Sequence, residues 1–280
     1  MIISQIETIR VAQFPDLIFV QVHTDTGLTG LGETWYAAAT VESAIHDHFG
    51  PLLVGRDPFE IERHWQTMFR LSDHAGYGGA ELRAISAIDV ALWDIKGQSL
   101  NMPIFEIIGG GTRNRIKVYN TLGVYGEIDE AHKVWSDPVE VAKSLLDQGI
   151  TGMKMSPTDF IARESDGQLL FQDDLDWALR PIREIREKLG MEIDIANDAH
   201  GKWNLPNAMR IVREMESMRL MWHEELISPL NEEAHRRLQA VTSTPIAAAE
   251  RLMTRYQHRR FIESSSARIS MPDLTWTGGI

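Results

Sequence analysis

Three carboxylates, Asp198, Glu224 and Glu250, recur at equal intervals in the second half of the chain, each at or near the end of a short apolar stretch. Those stretches, 192–198, 220–226 and 245–250, read as strands, so each interval spans one strand–helix unit. At equivalent ends of adjacent parallel strands, three acids would converge on one mouth of a barrel. Such a cluster repels itself unless a cation neutralises it or some members hold protons. Oxygen ligands with room left for water and substrate favour Mg2+ over zinc or copper. Taken singly each acid is an ordinary solvated strand end; in common register they read as metal ligands.

Other chemically able residues fall at the same strand ends. His200 lies two residues beyond Asp198, so continued strand geometry would turn both side chains to the mouth. Lys154 ends the strand 152–156, and Asp273 ends the strand 268–273. His223 and Glu225 flank Glu224 with the opposite parity and read as structural. The chain has no cysteine, which removes a disulfide scaffold, a thiolate zinc site and a cysteine nucleophile.

These residues need a frame, and the chain supplies an α/β one. Residues 1–11, 17–24 and 28–36 alternate as strands, with Gly27 at the turn between the second and third. Helical patterns follow at 38–48, 58–69 and 81–98. Pro103 and the glycine run Gly109–Gly111 then break the pattern, and a boundary is expected there, giving an N-terminal α+β domain, 1–112, and a second domain, 113–280. Beyond Arg113 the expected strands are 116–122, 152–156, 192–198, 220–226, 245–250 and 268–273. Helical patterns such as 176–189, 206–217 and 231–241 separate them, which implies a parallel (β/α) TIM-type barrel. The polar stretch 157–173 reads as a loop or lid. Six strands are visible where a closed barrel has eight, so two further units, and with them the rest of an incomplete barrel, are expected beyond Ile280.

A net charge of −12 without a Lys/Arg cluster argues against nucleic acid and anionic membranes as partners. No signal-peptide pattern opens the chain, and no apolar run is long enough to span a bilayer. A cytoplasmic protein is expected.

The order and spacing of several short motifs resemble the enolase superfamily, in its mandelate racemase-like branch. They are 27–33 (GLTGLGE), 84–97 (AISAIDVALWDIKG), 103–110, 198–203 (DAHGKW), 222–225 (WHEE), 249–252 (AERL) and Pro272–Asp273 through Gly278–Gly279. The resemblance covers essentially the whole chain. It implies a capping domain over a barrel, with Asp198, Glu224 and Glu250 binding a Mg2+ that stabilises the enediolate formed when a substrate loses its α-proton.

The Asp-x-His pattern further resembles the acid sugar dehydratases of the family, in which His200 would protonate the departing hydroxyl. Asp273 would orient a histidine base on a seventh strand, expected beyond Ile280. Where racemases carry Lys-x-Lys, this chain has Lys154–Met155–Ser156, so two-base racemisation loses its second base. Lys154 would instead hold the substrate carboxylate or the enediolate. Capping-domain loops at 12–16 and 74–79 are expected to touch substrate, His74 and Tyr77 among them. The function expected is Mg2+-dependent dehydration of an aldonate or aldarate to a 2-keto-3-deoxy acid by a homo-oligomeric enzyme. Racemisation, epimerisation or cycloisomerisation on the same intermediate is one alternative, and a non-catalytic barrel that binds Mg2+ and a sugar acid is another.

Overall fold

A computed structural model describes residues 1–280, the side chain of Ala75 excepted. The chain forms two compact units. The first comprises Met1–Asn114, Glu250–Arg259 and Pro272–Ile280; the second comprises Arg115–Ala249 and Arg260–Met271.

In the first unit, β1 (Ile3–Val11), β2 (Phe14–Thr24) and β3 (Thr29–Trp35) make an antiparallel sheet in that order. Burial alternates along β2, with Ile18, Val20, Val22 and Thr24 facing the core, as a half-buried strand requires. Gly27, at φ +86°, closes the β2–β3 turn. The helices are α1 (Ala38–Ser43), α2 (Gly50–Leu53), α3 (Ile61–Ser72), α4 (Ala80–Leu100) and α5 (Ile104–Ile107). A π-helical turn at Ala44–Phe49 joins α1 to α2, so the helix expected at 38–48 is present but locally widened.

Helix α4 lies directly on β3 because the contact is made of small residues. A Cβ on Gly30 would stand 2.0 Å from the Ala91 carbonyl oxygen, and one on Gly32 would stand 1.9 Å from that of Ala87. The closing segment of the chain is bound to the same unit by buried hydrogen bonds. Trp65 Nε1 donates to the Gly278 carbonyl at 2.7 Å, and the Gly278 N–H donates to Ser86 Oγ at 2.8 Å. The Ile280 N–H donates to Asp89 Oδ2 at 2.8 Å. Gly279, at φ +99°, has no room for a Cβ, which would fall 2.2 Å from Asp89 Oδ2.

The second unit opens with a small hairpin, β4 (Val124–Tyr125) and β5 (Ile128–Asp129), followed by α6 (Glu130–Ser136) and α7 (Pro138–Asp147). Strand–helix units follow: β6 (Gly152–Met155), α8 (Asp159–Ser165), α9 (Gln172–Leu189), β7 (Asp194–Asp198), α10 (Leu205–Met215), β8 (His223–Glu224) and α11 (Glu232–Gln239). The chain continues through β9 (Ile246–Ala248), α12 (Thr254–Glu263) and β10 (Ile269–Ser270). The five strands β6–β10 are parallel neighbours in chain order, the strand–helix alternation of a (β/α) barrel.

The stripe Leu175, Leu179, Ile182 and Ile185 of α9 is fully buried in this unit's core. Side chains of Asp129, Asp137, Asn204 and Asn231 accept hydrogen bonds from the first turns of α6, α7, α10 and α11, fixing where each helix begins.

Two expectations are corrected. The strand expected at 116–122 is reduced to a parallel bridge between Asn120 and Met153. The stretch 157–173 is not an irregular surface loop throughout: it holds α8 and the start of α9, and Thr158, Ile161, Ala162 and Leu170 are buried. Among the described residues no helix is long and apolar enough to cross a membrane.

Candidate functional site

Register brings three of the expected residues together. Lys154 pairs with Ala196 across β6 and β7, and Asp198 pairs with Glu224 across β7 and β8. With a side-chain period of two, Lys154, Ala196, Asp198 and Glu224 share one face of the sheet. The Lys154 ammonium lies between the two acids, 2.9 Å from Asp198 Oδ2 and 2.8 Å from Glu224 Oε1. Trp222 Nε1 donates to the other oxygen of Glu224 at 3.0 Å, and Tyr119 meets Trp222 edge-on at 5.2 Å.

Electrostatics follow from burial. The side chains of Asp198 and Glu224 are only 5% and 2% exposed. Burial and the neighbouring Asp198 charge push the Glu224 carboxyl up, against the pull of Lys154. Burial alone would lower the Lys154 ammonium, but the two carboxylates outweigh it and raise it above the ordinary lysine range. The group needs positive charge, and Lys154 supplies it.

His200 sits at the rim, its side chain 49% exposed and its Nε2 3.6 Å from Asp198 Oδ2. It does not continue the strand as expected: its φ is +48°, in the left-handed region, and Gly201 follows at +67°. Asp198 Oδ1 accepts the His200 N–H at 3.1 Å. The loop is stitched to the end of β8, where the Glu224 backbone carbonyl accepts from the Ala199 N–H at 3.1 Å and the Leu226 carbonyl from the Trp203 N–H at 2.9 Å.

Sequence reasoning missed Asp159, at the start of α8. Its Oδ2 accepts from His200 Nδ1 at 2.9 Å and also from Lys202 Nζ. Burial pushes the Asp159 carboxyl up, but the hydrogen bonds from His200 and Lys202 prevail and hold it below the usual carboxylate range. The Asp159 hydrogen bond in turn raises the His200 imidazole, against burial. The sequence signal for it is Thr158–Asp159 ahead of Phe160–Ile161, the pattern of a helix start within the polar stretch 157–173.

His223 is buried beneath the site, its imidazole pushed down to about 4 by desolvation. Glu225 is buried too, at φ +35°, and its Oε1 accepts the Ala249 N–H at 3.1 Å. Both are in keeping with structural roles.

Four expected site residues belong to the first unit. Glu250 directly follows Ala249, after the end of β9. Asp273 Oδ1 accepts from the Thr275 N–H and hydroxyl, both at 2.8 Å. His74 lies in the turn Asp73–Ala75, and Tyr77, largely exposed, stacks on Phe69 at 5.9 Å.

Among the described residues no three His, Asp or Glu side chains are arranged to enclose a metal ion. The pair Asp198–Glu224 nevertheless suits a hard divalent cation in kind: both donors are carboxylate oxygens, buried, side by side and in need of positive charge.

Residues 5–109 match the family description "Mandelate racemase / muconate lactonizing enzyme, N-terminal domain", and residues 137–280 match "Enolase C-terminal domain-like". The chain is 36% identical to a D-galactonate dehydratase of Variovorax paradoxus, over 99% of this chain and 69% of that protein. It is 34% identical to one of Klebsiella pneumoniae, over 95% of this chain and 66% of that protein. Among solved structures it resembles an enolase of the mandelate racemase subgroup from Agrobacterium tumefaciens, with a TM-score of 0.91 and 38% identity, over 100% of this chain and 73% of that one. A 3,6-anhydro-D-galactonate cycloisomerase from Zobellia galactanivorans gives a TM-score of 0.84 and 29% identity, over 100% of this chain and 74% of that one.

Proposed function

The chain belongs to the mandelate racemase / muconate lactonizing enzyme family of the enolase superfamily, and on that premise we propose that it is a hydro-lyase that dehydrates a sugar acid. The observation that carries this reading is His200, a proton donor at the open rim of a buried Lys154–Asp198–Glu224 group. The relatives named D-galactonate dehydratase support an aldonate, and an aldarate carries the same reacting carbons.

Asp198 and Glu224 would hold Mg2+, with Glu250 the candidate from strand spacing for a further ligand. When bound, the metal supplies positive charge that stabilises the negative charge developing on the substrate as its α-proton leaves. Lys154 then holds the substrate carboxylate as a fixed, desolvated cation. His200, as imidazolium, gives its Nε2 proton to the β-hydroxyl, which departs as water with the electron pair of the C–O bond. The resulting enol tautomerises to a 2-keto-3-deoxy acid. Asp273 is the candidate for orienting the base that takes the α-proton, and His74 and Tyr77 are candidates for contacts to the substrate hydroxyls.

The test is incubation with a panel of aldonates and aldarates plus Mg2+, scoring 2-keto-3-deoxy product. Turnover is expected, and both EDTA and His200→Asn should abolish it; loss of a general acid costs about 10²–10⁴-fold. Isomerisation of an anhydro sugar acid without loss of water would replace this reading with a cycloisomerase.

A further inference from the structure

His200 lacks the usual means of holding a side chain still. It has left the strand, its backbone is left-handed, and its ring is half exposed. Beyond the looser 3.6 Å approach of Nε2 to Asp198, the side-chain hydrogen bond that ties the ring is the one from Nδ1 to Asp159 Oδ2. We infer that Asp159 is the positioning residue for His200: it keeps the proton on Nδ1 and so points Nε2 at the substrate side of Asp198. The chemistry of this assignment rests on the proposed dehydration; its geometry does not.

The fold fixes Asp159 in that place. Trp203 Nε1, from the His200 loop, donates to the buried Thr158 hydroxyl at 3.1 Å. The Gly167 carbonyl, just past α8, accepts from the Asn204 N–H at 3.3 Å and from Asn207 Nδ2 at 3.1 Å. Gly167, at φ +69°, lies so close to the loop that a Cβ would stand 1.9 Å from the Lys202 carbonyl oxygen. The two loops are thus locked together around the Asp159–His200 contact. Lys202 adds a cation to the same Asp159 oxygen, which keeps the carboxylate ionised and acceptor-only.

During dehydration the imidazolium gives its Nε2 proton to the departing oxygen and is left neutral, its Nδ1–H still donating to the Asp159 carboxylate. This is the orienting role of the third member of a catalytic triad, with the ring acting as acid first.

The experiment is 15N NMR of histidine-labelled protein in alkaline buffer, where the ring is neutral, with His200 assigned by its absence in His200→Asn. The wild type should show the Nδ1–H tautomer at His200, and Lys202→Met should keep it. Asp159→Ala should convert it to the Nε2–H tautomer that free imidazoles prefer. In turnover, Asp159→Ala should lower kcat about 100-fold with KM changed less than about threefold. Exchange of the substrate α-hydrogen with solvent should persist. A wild-type ring in the Nε2–H form overturns the inference, even if Asp159→Ala does not fold, and so does an Asp159→Ala variant with unchanged tautomer and kcat. Absence of turnover in the wild type would count against the dehydratase reading alone, because the tautomer is measured without substrate.

Discussion

Replacing Lys154 by methionine removes the cation between two buried carboxylates and leaves a side chain of similar length. In the wild type the ammonium lies 2.9 Å from Asp198 and 2.8 Å from Glu224, whose side chains are 5% and 2% exposed. Water therefore cannot take over the ammonium's role. Breaking a buried ion pair by removing one partner costs roughly 3–5 kcal/mol. The upper part of that range is expected, because Asp198 and Glu224 also repel each other once Lys154 is gone. With a urea dependence of about 3 kcal/mol per molar, the unfolding midpoint should fall by about 1 M or more in chelator-treated protein. Lys154→Arg, which keeps the charge, should lose much less. Mg2+ should then stabilise Lys154→Met by about 2.7 kcal/mol at a hundredfold excess over that variant's Kd, and at the same concentration should stabilise the wild type less, because there the ammonium competes for the carboxylates. A Lys154→Met midpoint equal to that of the wild type would refute the view that the ammonium neutralises this pair. Equal Mg2+ stabilisation of the two proteins would refute competition between Lys154 and the metal, and no stabilisation of either would refute the pair as a cation site.

The remaining predictions concern the first unit. Burial pushes the Asp89 carboxyl up to about 7, against the Ile280 N–H bond and the Arg255 charge, while Glu62 adds to the rise. A carboxyl raised on folding favours the protonated fold, so its stabilising contribution is complete below about pH 4 and is lost as pH rises to about 7. Asp89→Asn, which keeps an acceptor for the Ile280 N–H, should flatten that slope; its advantage over wild type should grow by about 1.4 kcal/mol per pH unit across the window and then level off. Parallel denaturation curves at pH 5, 6, 7 and 8 would contradict this. Gly32→Ala should destabilise the first unit by about 3 kcal/mol or more, because the new methyl would lie 1.9 Å from the Ala87 carbonyl of α4. Thermal unfolding within about 1 °C of wild type would show that α4 and β3 can separate without cost.

Local pattern was enough for a large share of this protein. Strand parity and the equal spacing of the strand–helix units placed Asp198 and Glu224 side by side and Lys154 on their face, since a period of two and a repeated unit are properties of neighbouring residues. The glycines of 30–32 and 278–279 stood in the motifs, but only packing shows that they make room for α4 and for Asp89. Apolar periodicity could not reveal the helix Asp159–Ser165 within 157–173, because Thr158 and Asp159 are held by hydrogen bonds to a loop far along the chain. Nor could it foresee that His200 leaves the strand, since its left-handed backbone is held by Asp198 and by the end of β8. Sequence thus determined which side chains could do chemistry and on which strand ends they stand. Tertiary structure alone decided that Lys154 neutralises the two acids and that Asp159 meets His200, because those contacts join residues whose separation along the chain carries no local signal.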